Sequence, residues 1–315
     1  MLDRWTRHEE YIRVNIAAEH LDQLITDGHC LVRDFLAPGE LSAARQNMLR
    51  YFPTAEELAA APQRYASLLE EAEFQQVEFP FAGDALNNIA THPGIISAIE
   101  KVLGAANVLL SQSAIWAKYA GTGQFEQPIH LDFEGNTLVY PRDDGIFRQV
   151  NLIVYYTDVT ADMGPTCVIS RQHTDSASLW PPFRPRREYP ALYKLEKPIL
   201  ARAGDLLMFG MRTFHRASEI VADEGVRFSQ HLVYRSAACN FSGYNQWSRF
   251  GEKPELHRFI EQASPRQREV IGFPPPGHEY WNADTLEGVA QRYPGMDMSP
   301  YRRSGKTSRK SPVRR

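Results

Sequence analysis

The chain reads as mainly β: a double-stranded β-helix (jelly-roll) barrel core flanked by N-terminal helices and a C-terminal helix and loop extension. Between residues 107 and 235, short segments rich in Val, Ile, Tyr and Thr alternate with turn residues, and so many short strands in so little chain favour a closed or double-sheet architecture. Before residue 107, apolar residues recur at helical spacing between Pro and Gly punctuation. The composition is ordinary for a globular protein, with 43% hydrophobic and 23% charged residues in 315.

The first helix is expected over 17–27, where Leu21, Leu24 and Ile25 share a face and Gly28 follows as a stop. The apolar stretch from Cys30 to Val32 suggests a strand. Pro38 opens a second helix through about Tyr51, and Pro93 opens another that ends at Gly104. Strands are then expected near 107–119, 127–132, 148–157, 166–170, 196–202, 205–209, 213–221 and 226–235. The segment 173–195, with Pro181, Pro182, Pro185 and Pro190, interrupts them as a loop or lid, and 240–298 returns to mixed helix and loop. One domain over 1–298 is expected, followed by a basic, disordered tail over 299–315.

That tail holds seven basic residues (Arg302, Arg303, Lys306, Arg309, Lys310, Arg314, Arg315) and no acidic one. Without those seven, 28 Lys and Arg face 38 Asp and Glu, so the body carries −10. An acidic body argues against nucleic acid as a partner. No apolar run is long enough to cross a membrane, and the charged first twenty residues leave no core for a signal peptide. Three scattered cysteines (Cys30, Cys167, Cys239) suit a reducing, cytoplasmic setting.

The informative stretch is Pro128-Ile129-His130-Leu131-Asp132-Phe133. On a strand, residues i and i+2 point to the same face, so His130 and Asp132 can grip one ion together. A second histidine, His215, follows 83 residues later on a strand that a jelly roll can bring alongside. Two histidines and one carboxylate leave open positions on an octahedral metal, as a non-haem Fe(II) oxygenase needs for a chelating co-substrate and O2. Twelve residues after His215, Arg227 and Ser229 share a strand face and can meet the distal carboxylate of 2-oxoglutarate. His231 lies on the same face if that strand is regular, although an interior histidine with satisfied hydrogen bonds is its ordinary reading.

Taken together these residues resemble the phytanoyl-CoA dioxygenase-like family of Fe(II)/2-oxoglutarate oxygenases. The resemblance begins at Asp27-Gly28-His29-Cys30-Leu31-Val32-Arg33-Asp34-Phe35-Leu36 and continues through His130-x-Asp132, Gly164-Pro165, His215 and Arg227. Ser170-Arg171-Gln172 departs from the Pro-Gly-Ser usual before the next histidine, which alters a turn and touches no ligand. The resemblance implies that His130, Asp132 and His215 hold iron and that Arg227 holds 2-oxoglutarate. Lys118 stands where some members place a basic co-substrate contact, with Ser229, Thr166 and Gln112 as further candidates. The carboxylate of Asp132 occupies the position that related halogenases leave to Ala or Gly, so hydroxylation or a related C–H oxidation is favoured over halogenation.

The substrate, a small organic molecule, is expected against Phe125, Phe133, Trp116 and Phe214, with Gln149 and Asn151 contributing amides if their strand face points inward rather than to solvent. Arg184, Arg186 and Arg187 in the lid could meet an anionic substrate. A rival expectation is a non-redox metal-binding jelly roll, such as a cupin-like isomerase or a ligand-binding pseudoenzyme. The Arg227 clamp speaks against it, because such a protein needs no keto-acid anchor.

Overall fold

The structure, a computed structural model, describes residues 16–66, 76–121, 126–132, 148–239, 247–251 and 253–303. Helix α1 (Ala18–Asp27) buries Leu21 and Leu24 and ends on Gly28, whose φ of 79° is left-handed. A side chain there would strain the turn and collide with Arg171 and Thr213. Strand β1 (His29–Val32) follows, then α2 (Pro38–Met48), α3 (Ala55–Ala60) and β2 (Gln76–Glu78). Helices α4 (Ala85–Ala90) and α5 (Pro93–Leu103) complete the N-terminal layer. Proline starts α5, the His92 ring accepts from the Gly94 N–H, and Gly104 stops the helix in the left-handed region. The expected helices and their stops are therefore present.

The barrel strands are β3 (Val108–Tyr119), β4 (Gln149–Tyr155), β5 (Thr166–Val168), β6 (Lys197–Pro198), β7 (Leu206–Gly210), β8 (His215–Ala217) and β9 (Val226–Ser236). A six-stranded antiparallel sheet runs β1-β7-β4-β9-β3-β2, and a smaller one runs β6-β5-β8. The smaller sheet is extended by the pairings His130 with His215 and Ile129 with Arg184. The two sheets face each other as the jelly roll requires.

Alternation divides the large sheet into two faces. Leu152, Val154, Leu206, Met208, Leu232 and Tyr234 pack outward against α1–α5. Ile153, Tyr155, Leu207 and Phe209 face Val168 and Ile199 of the small sheet. On β9 the inner face carries Arg227, Ser229, His231, Val233 and Arg235, the last four opposite Tyr155, Ile153, Asn151 and Gln149 of β4 respectively. Gln149 and Asn151 therefore point into the barrel rather than to solvent.

Two expectations about the chain's organisation need correction. The segment 173–195 is not a free lid: Leu179 and Tyr193 are buried with Ile129, Leu131 and Phe214 on the outer side of the small sheet. The Tyr193 hydroxyl accepts from the Ile129 N–H at 3.0 Å and donates to the Arg184 carbonyl at 2.9 Å. Of its large apolar side chains, Trp180, Phe183 and Leu195 stand exposed. Nor does the body end at 298. After α6 (Pro254–Gln262), α7 (Pro265–Val270) and α8 (Ala283–Arg292), a last helix α9 (Ser299–Arg303) buries Tyr301, whose hydroxyl takes a hydrogen bond from the buried Arg268. The remaining basic tail, 304–315, lies outside the described residues.

Candidate metal centre

His130 sits on the segment that pairs with β8; its N–H donates to the His215 carbonyl at 2.8 Å, and its carbonyl accepts from the His215 N–H at 3.1 Å. This exchange locks the two histidines side by side, with ring centroids 4.4 Å apart. Asp132, two residues on, brings its carboxylate between them: Oδ1 is 3.4 Å from His130 Nε2 and Oδ2 is 3.3 Å from His215 Nε2. One ligand atom from each of the three lies within 4.8 Å of the others. Both histidines are buried, at 8% and 7% exposure.

The ring orientation is what a metal needs. Nδ1 of His130 lies 2.9 Å from the Pro128 carbonyl, and Nδ1 of His215 lies 3.0 Å from the Thr213 carbonyl. A carbonyl only accepts, so each Nδ1 carries a proton, and each Nε2, turned toward the carboxylate, is the ring atom left to bind a metal. In the metal-free chain, burial works to lower the His130 pKa, but the hydrogen bond and charge of Asp132 outweigh it and raise the value. Burial would raise the Asp132 carboxyl, yet His215 and His130 hold it well below its usual range.

The aromatic neighbours differ from those expected. Phe214 packs on the outer side of the small sheet under Arg184, not against the ligands. Phe209, on the inner face of β7, lies 4.6 Å from the His215 ring, and Phe183 stacks on the His130 ring at 5.6 Å. Alternation in β7 already marks Phe209 as inward; Phe183 has no such signal. Phe125 and Phe133 lie outside the described residues.

Deeper along the same inner face is a cluster of polar groups. Arg227 is 6% exposed, and its guanidinium donates to the carbonyl of Gly164. That glycine has a φ of 63°, and a Cβ on it would press on the Ser218 carbonyl at 2.8 Å. Arg227 Nε is buried without a hydrogen-bond partner, and among the described residues no carboxylate pairs with this cation. Lys118 is directly opposite Arg227 in the β3–β9 register, which sets like charges side by side. Ser229, next inward on β9, faces His231 Nε2 at 3.3 Å. Thr166 accepts from the Tyr155 hydroxyl at 3.2 Å. Burial, with Arg227 and Lys118 adding to it against the pull of Asp132, depresses His231 to about 3. His231 is thus neutral, in an interior of positive potential.

Two assignments shift with the register. Trp116 is opposite Ser229 and 5.7 Å from the His231 ring, so it lines the deep end instead of the substrate wall. Its Nε1 is buried without a partner. The same unbroken β3–β9 register that sets Lys118 opposite Arg227 places Gln112 opposite Val233, six residues and about 20 Å along β9 from Arg227. Gln112 thus leaves the co-substrate set and stands at the other end of the face. Of the lid arginines, Arg184 is buried and bonded to the Pro181 and Ser178 carbonyls, and Arg186 pairs with Glu126 at 2.6 Å.

A family model described as phytanoyl-CoA dioxygenase (PhyH) matches residues 25–228. No curated protein matches the chain in sequence. Among solved structures, the chain is similar to the non-heme alpha ketoglutarate dependent carbocyclase SnoK from nogalamycin biosynthesis. That match has 19% identity and a TM-score of 0.51, covering 76% of this chain and 91% of that one. It is also similar to HygX from Streptomyces hygroscopicus with nickel and 2-oxoglutarate bound, at 15% identity and a TM-score of 0.51, covering 73% and 96%. A second HygX structure, which holds hygromycin B as well, matches at 15% identity and a TM-score of 0.50. These likenesses show a shared fold.

Proposed function

We propose that this chain, which belongs to the phytanoyl-CoA dioxygenase family, is an Fe(II)- and 2-oxoglutarate-dependent oxygenase that hydroxylates a small organic molecule. The observation that carries the reading is the trio His130, Asp132 and His215, with both imidazoles locked as Nδ1–H and both Nε2 atoms turned to one carboxylate. These residues fit a divalent metal: neutral imidazole nitrogens and one carboxylate, each already oriented by a second hydrogen bond. Iron with 2-oxoglutarate supplies the oxidising chemistry, in which O2 is consumed, the keto acid yields succinate and CO2, and one oxygen atom enters a C–H bond of the substrate.

The chain's own part is to bind, orient and exclude water. Arg227 is a buried cation that needs an anion, and a distal carboxylate satisfies it through charge-assisted hydrogen bonds. Lys118 adds positive potential from the opposite strand, and Ser229 and Thr166 offer hydroxyls at the same depth. Trp116 Nε1 supplies a further buried donor there. Neutral His231 adds no charge that would compete with Arg227 for the carboxylate. Phe209 and Phe183 shield the histidines from solvent, which strengthens every interaction within. Gln149 and Asn151 stand on the inner face where the organic substrate is expected.

Asp132 leaves no missing protein ligand for a halide, which favours oxygen insertion. HygX with hygromycin B bound, and SnoK from nogalamycin biosynthesis, support a small-molecule substrate here. Screening candidate small molecules for substrate-dependent succinate release tests the reading. It requires succinate to form with Fe(II), O2 and 2-oxoglutarate all present and to fall away when Asp132 is replaced by alanine.

A further inference from the structure

We propose that Asn151 is the positioning residue that fixes the Asp132 carboxylate for metal binding. The proposal rests on the assignment of His130, Asp132 and His215 as the metal ligands. Asn151 lies mid-sheet on β4, opposite Phe209 on one side and Val233 on the other, and is only 3% exposed. Its Nδ2 donates to Asp132 Oδ2 at 3.0 Å.

The chemistry fixes the amide's direction. An ionised carboxylate only accepts, so the NH2 end of Asn151 must face Asp132 and the carbonyl end must point away. That carbonyl, Oδ1, is buried with no hydrogen-bond partner. A buried acceptor left unpaired works against folding. The neighbours Ile153, Leu207 and Phe209 are apolar, so a leucine of similar size would suit the fold better. The amide is explained by what it holds, not by what it packs against.

Asp132 follows the short paired segment, and its two oxygens are divided between the histidines at 3.4 and 3.3 Å, longer than a good hydrogen bond. The Asn151 contact is the shorter one, from a rigid central strand. It selects one rotation of the carboxylate and keeps one oxygen toward each histidine. Partners of this kind typically set metal affinity by roughly 10–100-fold.

The test uses the metal-free full chain and Co(II) alone, titrated by calorimetry and by visible absorption, in the wild type, Asn151→Leu and Asn151→Ala. Both variants should bind Co(II) roughly 10–100-fold more weakly, with an altered visible spectrum. The melting temperature of metal-free Asn151→Leu should not fall. A folded variant that binds Co(II) with unchanged affinity and spectrum overturns the proposal. So does an Asn151→Leu chain whose only change is a lower melting temperature, since that marks a structural role. If the leucine variant does not fold, the alanine variant decides by the same criterion; failure of both to fold also counts against the proposal. A wild type that binds no Co(II) overturns the ligand assignment itself, a failure distinct from the others.

Discussion

Replacing Arg227 with methionine removes the guanidinium while keeping most of the side chain's apolar length. In the ligand-free chain the cation is buried, bonded to the Gly164 carbonyl, and has no carboxylate partner among the described residues. Removing it relieves a desolvation penalty, so the variant should be no less stable than the wild type. With co-substrate the sign reverses. Hydrogen bonds to charged groups contribute about 1.5–3 kcal/mol, so 2-oxoglutarate should bind roughly 10–100-fold more weakly. At a concentration 100 times the wild-type Kd, ligand binding stabilises the fold by about 2.7 kcal/mol, whereas a 30-fold weaker site gains about 0.9 kcal/mol. At roughly 2–4 °C per kcal/mol for domains of 150–250 residues, the difference is several degrees in Tm. The assay is thermal melting of the Ni(II)-loaded chain with and without 2-oxoglutarate. A full co-substrate shift in Arg227→Met would refute the clamp and move the anchor to Lys118.

Alanine at His130, Asp132 or His215 should each abolish or greatly weaken Fe(II) binding while circular dichroism stays native; wild-type metal binding in any one removes that residue from the site. His231 has a folded pKa of about 3 against 6.5 in the unfolded chain, so below pH 6.5 the unfolded state takes up a proton that the folded state refuses. Its contribution to stability is therefore lost as pH falls from 6.5 toward 3, at up to about 1.4 kcal/mol per pH unit. His231→Gln should flatten the Tm–pH profile across that window, and an identical profile would contradict the burial argument. Tyr193→Phe leaves the buried Ile129 N–H without its acceptor and should cost about 1–3 kcal/mol in denaturant unfolding. A neutral result would mean that the 173–195 segment is not pinned to the small sheet.

Sequence patterns reached the barrel because alternation and turn residues are local signals. Gly28 and Gly104 marked helix ends through the left-handed backbone they adopt, and His130-x-Asp132 marked a shared face through strand periodicity. Depth along the barrel was not legible. It depends on how β3 and β9 pair, and that register decides which β3 side chains stand opposite Arg227 and which opposite Val233. Trp116 and Gln112 were misplaced for that reason. Phe183 reaches His130 only because the proline-rich segment folds back along Ile129, a pairing with no periodic signature. Tyr301 was assigned to a solvated tail because the basic residues after it dominate the local composition, yet its ring packs near Phe273 and Trp281.

In the proposed function one buried trio and one buried guanidinium together bind iron and 2-oxoglutarate. Anaerobic titration of the metal-free chain with Fe(II) and then 2-oxoglutarate, followed by visible absorption, tests it most directly. The expected result is a weak charge-transfer band that requires both additions, disappears in Asp132→Ala, and saturates only at higher 2-oxoglutarate in Arg227→Met. Tight Fe(II) binding with no such band at any 2-oxoglutarate concentration would contradict it and favour a metal-binding jelly roll without oxygenase chemistry.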